Sequence, residues 1–208
     1  MPNHCYNSLS ITGDGRAIDA FMDKIQWACE KFGGNEENEG MTFTAFVPHT
    51  DNVLHGVTGH GRFVRRDGVW ESTTLTEEQA AAEGLEYVYS KYMTDSSGAV
   101  FMQDEAKERG LVDWYDWNIE NWGTKWDAYD VDVHRPTAEE LYITFDTAWA
   151  PPVPVIQAMQ EQHPELSIFA SFDEYGMMIR GEIETDGTVT YLDYEEDNEW
   201  ETEEEEYA

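Results

Sequence analysis

Positive charge is what this sequence has least of: 12 Lys and Arg stand against 44 Asp and Glu, a formal net charge of -32 over 208 residues. So negative a chain repels phosphate backbones and anionic bilayer surfaces and attracts basic proteins. Direct nucleic-acid binding and membrane association are therefore not expected. Ten of the acids fall within residues 193–208, which hold no Lys or Arg. The others are spread along the chain, so the folded body is acidic as well. Cysteine is scarce too. Cys5 and Cys29 alone do not suggest a disulfide framework and suit a reducing compartment. No stretch approaches the roughly 18 apolar residues of a membrane span. The opening MPNHCYNSLSITG has neither the basic start nor the apolar run of a secretion signal. A cytoplasmic location is the expectation.

What the chain does contain is enough apolar material for a core, with 40% hydrophobic and 13% aromatic residues. Residues 6–12 (YNSLSIT) alternate as a strand. Ile18, Phe21, Met22, Ile25, Cys29 and Phe32 then recur at helical spacing, with Gly33-Gly34-Asn35 as the stop. MTFTAFVP (41–48) reads as a second strand closed by Pro48. Beyond it the pattern loosens. Thr76-x-x-Gln79 signals a capping box for a helix running to about Met93, and AVFMQDEAKERG (99–110) reads as another helix. Strands resume at 127–134 and 139–146, a proline-led helix follows Pro151, Pro152 and Pro154, and strands return at 166–172, 177–184 and 189–194. Two β-α-β-like segments around an insertion predict an α+β fold, a ferredoxin-like sandwich. Its sheet is expected to be mostly antiparallel with the helices on one face. Residues 1–194 would form a single domain carrying a largely helical insertion at about 49–112. The tail 195–208, dense in acids, is expected to be disordered.

Three blocks carry a family resemblance: the start MPNHCYNSLSITGD, the Trp-dense segment WYDWNIENWGTKWDAYDVDV (114–133), and FDTAWAPPVPVI (145–156). Together they resemble the YubB-like ferredoxin-like family of phage- and plasmid-borne proteins of unknown function. The resemblance implies a ferredoxin-like fold and a mobile-element origin. It implies no established chemistry.

Familiar catalytic patterns are missing. His49, His55 and His60 lack the paired short spacings of a zinc site. Asp127, Asp130 and Asp132 stand outside any calcium loop of the D-x-[DN]-x-[DN]-G type. Glu105-Ala106-Lys107 has the form of a nuclease metal triad but falls on a helix. Gly56 to Gly61 does not end as a phosphate loop, and there is no Gly-x-Ser-x-Gly elbow. No metal or cofactor is expected.

Charge therefore carries the functional expectation. The leading reading is an acidic accessory protein that binds and inhibits a basic, nucleic-acid-binding host protein by mimicking nucleic acid. The candidate partner-binding residues are Trp122, Thr124, Lys125, Trp126, Asp127, Asp130 and Asp132. Lys125 is notable in so acidic a chain, placed to pair with Asp116, Glu120 or Asp127 or to rest on an indole. A second reading is a hydrolase or transferase with its site at Asn121–Trp126. A third is a structural or assembly role.

Overall fold

The computed structural model describes residues 3–32 and 40–194. The expected turn at Gly33-Gly34-Asn35 and the acidic tail 195–208 lie outside these residues. In chain order come β1 (His4–Thr12), α1 (Gly15–Phe32), a 3-10 turn (Phe43–Ala45), β2 (Val53–Leu54), β3 (Thr58–Arg66), β4 (Val69–Ser72), α2 (Glu77–Ala82) and β5 (Glu86–Thr94). Next are β6 (Val100–Met102), α3 (Gln103–Glu108), β7 (Val112–Asp113), α4 (Trp114–Asn121), β8 (Tyr129–His134) and β9 (Glu140–Ala148). α5 (Val153–Gln162), β10 (Ser167–Glu174), β11 (Ile179–Ile183) and β12 (Val189–Tyr191) complete the described chain. The chain divides into two units: Met1–Pro48 with Asn121–Ala208, and His49–Glu120.

In the first unit the sheet order is β12-β11-β10-β1-β9-β8, and each neighbouring pair is antiparallel. The sequence β1-α1-β8 followed by β9-α5-β10, with β10-β1-β9-β8 side by side, is a ferredoxin-like arrangement. β11 and β12 extend it on one edge. Strand alternation sets its layers. Cys5, Asn7, Leu9 and Ile11 of β1 point inward and are fully buried, as are Leu141, Ile143 and Phe145 of β9. Ile18, Phe21 and Ile25 of α1 and Val155, Ile156 and Met159 of α5 bury the matching helical stripes. Pro152 caps α5, where its ring fixes the chain and no helical donor is lost. Polar groups enter this core where partners meet them: the Asn7 amide donates to the carbonyls of Cys5 (2.8 Å) and Phe145 (3.3 Å) and to Thr147 Oγ1 (2.9 Å).

Segment 41–48 is not the strand its alternation suggests. Thr42 caps a 3-10 turn there, and Phe43 is fully buried. The Asp127 carboxylate takes the Thr42 hydroxyl (2.6 Å) and the Phe43 N–H (2.7 Å), the latter a donor that a sheet ladder could have used.

The second unit corrects the expectation of a largely helical insertion. Its framework is a four-stranded antiparallel sheet, β4-β3-β5-β6, with the parallel pair β2-β7. The capping box at Thr76 and Gln79 does form, but α2 stops at Ala82 before Gly84, whose φ of +70° is open to glycine. EYVYSKYMT (86–94), rich in aromatic and β-branched residues, then pairs with β3 instead of continuing the helix. Residues 100–102 are likewise a strand, and only Gln103–Glu108 is helical. Leu54, Met93 and Ala106 form a small core, with Phe101 and Leu111 against it. Asp113, 2% exposed, accepts from the Thr58 hydroxyl (2.8 Å) and the Tyr115 N–H (3.1 Å), with Lys91 Nζ 3.5 Å away. Nearby in sequence, the His49 ring lies 4.7 Å from that of His55 and 4.5 Å from Trp117, and His49 Nε2 meets Asn118 Oδ1 at 2.7 Å.

Candidate interaction face

Because the helices bury one side of the six-stranded sheet, alternate residues of every strand face the other way. Register converts them into rungs. The first crosses five strands as Tyr129, Asp146, Tyr6, Asp173 and Arg180. The second runs Asp132, Thr144, Ser8, Ser171, Glu182 and Thr190. The third comprises His134, Tyr142, Ser10 and Phe169. Short hydroxyl side chains occupy the centre, with carboxylates and aromatic rings around them. Tyr6 is 50% exposed and Tyr142 38%. Tyr6, Ser171, Asp173, Arg180, Glu182 and Leu192 line a shallow concavity of about 300 Å³.

The first rung is held from both ends. At one, the Tyr129 hydroxyl sits 2.8 Å from His4 Nδ1 and 3.2 Å from the Thr147 carbonyl oxygen, while His4 Nδ1 lies 3.7 Å from Asp146. Burial, with Asp146 and Asp130 adding to it, pushes the Tyr129 phenol up to about 12. Burial also raises Asp146, helped by Asp130 and opposed by His4. At the other end the Tyr194 hydroxyl donates to Asp173 (2.6 Å), and Arg180 donates to the Asp193 carbonyl (2.7 Å) with its guanidinium 4.9 Å from the Tyr194 ring.

Of the residues singled out in the sequence, Asp132 alone falls on a rung. A register shift between Tyr129 and Asp132 lets both face the open side, with Asp130 exposed at the irregularity and carrying a φ of +52°, a conformation Asp tolerates. The others are dispersed by packing. Trp122, 3% exposed, donates its indole N–H to the Val47 carbonyl (2.9 Å) and meets Phe43 edge-on. Thr124 is fully buried and donates to the Ala148 carbonyl (2.8 Å). Between them Gly123 has a φ of +82°, and a Cβ there would come within 2.9 Å of the Pro154 ring. Asp127 is committed to the 3-10 turn and to its neighbour Ala128 N–H (2.9 Å). Lys125 rests on Trp126, its ammonium 4.5 Å from the ring centroid. Folding does not bring these seven to one surface: Trp122 and Thr124 point inward, and Asp127 accepts from the Thr42 hydroxyl and the Phe43 and Ala128 N–H groups.

Residues 121–208 match the family model of a ferredoxin-like domain in Api92-like protein. The match starts where the second unit ends and takes in β8 to β12, the greater part of the rungs. Among solved structures, the crystal structure of the protein Api92 from Yersinia pseudotuberculosis is similar over 93% of this chain and 98% of that one, at 11% identity and a TM-score of 0.46. No curated protein matches. The segment that the family model matches supplies Tyr129, Asp132, Asp146, Asp173 and Glu182 to the face, and β1 threads Tyr6, Ser8 and Ser10 between them. Tyr6, Asp146 and Asp173 are not among the residues singled out from the sequence. For Tyr6 and Asp146 the signal is present in YNSLSIT and LYITFDT, whose polar alternate positions mark the outward side of a strand.

Among the described residues no group of three or more His, Cys, Asp and Glu is placed to hold a metal ion, and no helix is long and apolar enough to cross a membrane. Cys5 is fully buried, and burial pushes its thiol up to about 12, which keeps it protonated and chemically quiet.

Proposed function

We propose that this protein binds a basic protein partner, in the setting of a mobile element and as an inhibitor of a nucleic-acid-binding host protein. The observation that carries the reading is the open sheet face. Four carboxylates, those of Asp132, Asp146, Asp173 and Glu182, stand on adjacent rungs among hydroxyls and tyrosines, in a chain of net charge -32. Such a surface offers a basic groove the negative charge it normally takes from phosphates, and accelerates encounter at low salt. The resemblance to YubB-like phage and plasmid proteins supports the mobile-element setting. A hydrolase or transferase at Asn121–Trp126 draws less support, since Trp122 and Thr124 are engaged in packing.

The test is affinity capture from a bacterial lysate at low and high salt, followed by a DNA-binding assay on the captured protein. A nucleic-acid-binding protein that is retained at about 50 mM salt, released by about 300 mM, and displaced from DNA by this chain is the expected outcome. A captured protein whose DNA binding is untouched would refute the inhibitory role.

A further inference from the structure

We infer that the first rung reads single cationic side chains of the partner, with Tyr6 as platform and Asp146 and Asp173 as flanking carboxylates, and that it favours arginine over lysine. This rests on the proposed binding of a basic partner and names the place and the chemistry. Tyr6 lies opposite Asp146 on one neighbouring strand and opposite Asp173 on the other. Strands lie about 4.8 Å apart, so the backbone positions of Asp146 and Asp173 stand on either side of that of Tyr6 at about that distance. The ring is 50% exposed and forms one wall of the concavity. A cation seated over a tyrosine is attracted by the ring's negative face, and the carboxylate on the side it occupies adds a charge-assisted hydrogen bond. A guanidinium suits this arrangement better than an ammonium, being flat enough to stack and broad enough to bond at its edge. Each carboxylate has a neighbour within the protein: the Tyr194 hydroxyl donates to Asp173, and His4 Nδ1 lies 3.7 Å from Asp146. Arg180, the cation on the same rung, is turned to the Asp193 carbonyl and the Tyr194 ring. The hydroxyl rung of Ser8, Thr144 and Ser171 beside it can bond the backbone of an extended segment lying across the strands.

The experiment uses the full chain and three labelled nonapeptides, of arginine, of lysine and of alternating glycine and serine, with affinity read by fluorescence anisotropy at about 50 mM salt. The comparison is between the unaltered chain, Tyr6→Leu, the pair Asp146→Asn with Asp173→Asn, and a control pair removing equal charge, Glu77→Gln with Glu78→Gln. The expected results are arginine binding at least threefold tighter than lysine and no binding of the neutral peptide. The Asp pair should weaken arginine binding about tenfold and the Glu pair less than twofold. Tyr6→Leu should weaken arginine binding about fivefold and reduce the arginine preference. Amide shifts of the unaltered chain under titration provide a check that does not depend on the variants folding: movement centred on Tyr6, Ser8, Ser171 and Asp173 supports the assignment, and uniform or remote movement overturns it. Equal losses from both charge-removing pairs would overturn the inference while leaving an acidic binding protein in place. Failure of both cationic peptides to bind would sink the underlying reading as well.

Discussion

Replacing Asp127 by Asn and by Ala separates two things a buried carboxylate can provide, acceptor geometry and charge. Its Oδ1 accepts from both Phe43 N–H and Ala128 N–H, and its Oδ2 accepts from the Thr42 hydroxyl. An Asn amide oxygen can occupy the Oδ1 position and keep both backbone bonds. Its NH2 can then donate to Thr42 Oγ1, whose own hydrogen turns to Thr44 Oγ1 at 2.8 Å. Alanine keeps none of these, and it orphans two N–H groups on residues that are fully buried, Phe43 and Ala128. Each orphaned donor costs about 1–3 kcal/mol, so Asp127→Ala should lose roughly 3 kcal/mol and Asp127→Asn under about 1. Burial raises the Asp127 pKa above its ordinary 3.8 in spite of the three hydrogen bonds. With the folded pKa above the unfolded one, its contribution is fully present below pH 3.8 and is lost as pH rises through the folded value. Stability relative to Asp127→Asn should therefore fall across that window, with a slope of at most about 1.4 kcal/mol per pH unit, and level off above it. Urea unfolding followed by tryptophan fluorescence between pH 3.5 and about 7 measures both differences. If Asp127→Asn is as damaging at neutral pH as Asp127→Ala, the charge itself is what the fold needs, and the reasoning fails.

Other expectations follow from the same physics. Lys91→Met leaves the Asp113 carboxylate buried without its cation. The cost should be about 2 kcal/mol in denaturant melts, below the usual range for a fully buried pair because 22% of the Lys91 side chain meets water. Burial lowers the His49 pKa below its ordinary 6.5, assisted by His55 and opposed by Asn118. Its contribution is present above pH 6.5 and lost as pH falls through the folded value, so the protection factors of amides in 49–120, taken against the intrinsic exchange rate at each pH, should fall there, and less so in His49→Gln. Cys5 should resist thiol reagents at pH 8 until the chain unfolds, and labelling in mild denaturant at the native rate for an exposed thiol would contradict its burial.

The period-2 and period-3.6 patterns around β1, α1, β9, α5 and β10 made the ferredoxin-like unit legible, since each apolar stripe has one partner it can be buried against. The charge too was a property of composition alone. Where local signals were ambiguous, tertiary contact decided. MTFTAFVP has strand propensity, but Asp127, distant in sequence, claims its first donors and bends it into a 3-10 turn. Residues 86–94 follow a true helix start, yet the ladder with β3 outcompetes helix continuation past Gly84. The candidate site shows the same division. Of the seven candidates between residues 122 and 132, folding buries Trp122 and Thr124 and commits Asp127 to hydrogen bonds. The face that emerged is assembled from single residues on strands far apart in the chain, Tyr6, Asp146 and Asp173 among them. Sequence determines which side chains a strand turns outward; only register between strands decides which of them become neighbours, because that pairing is fixed by contacts more than a hundred residues apart.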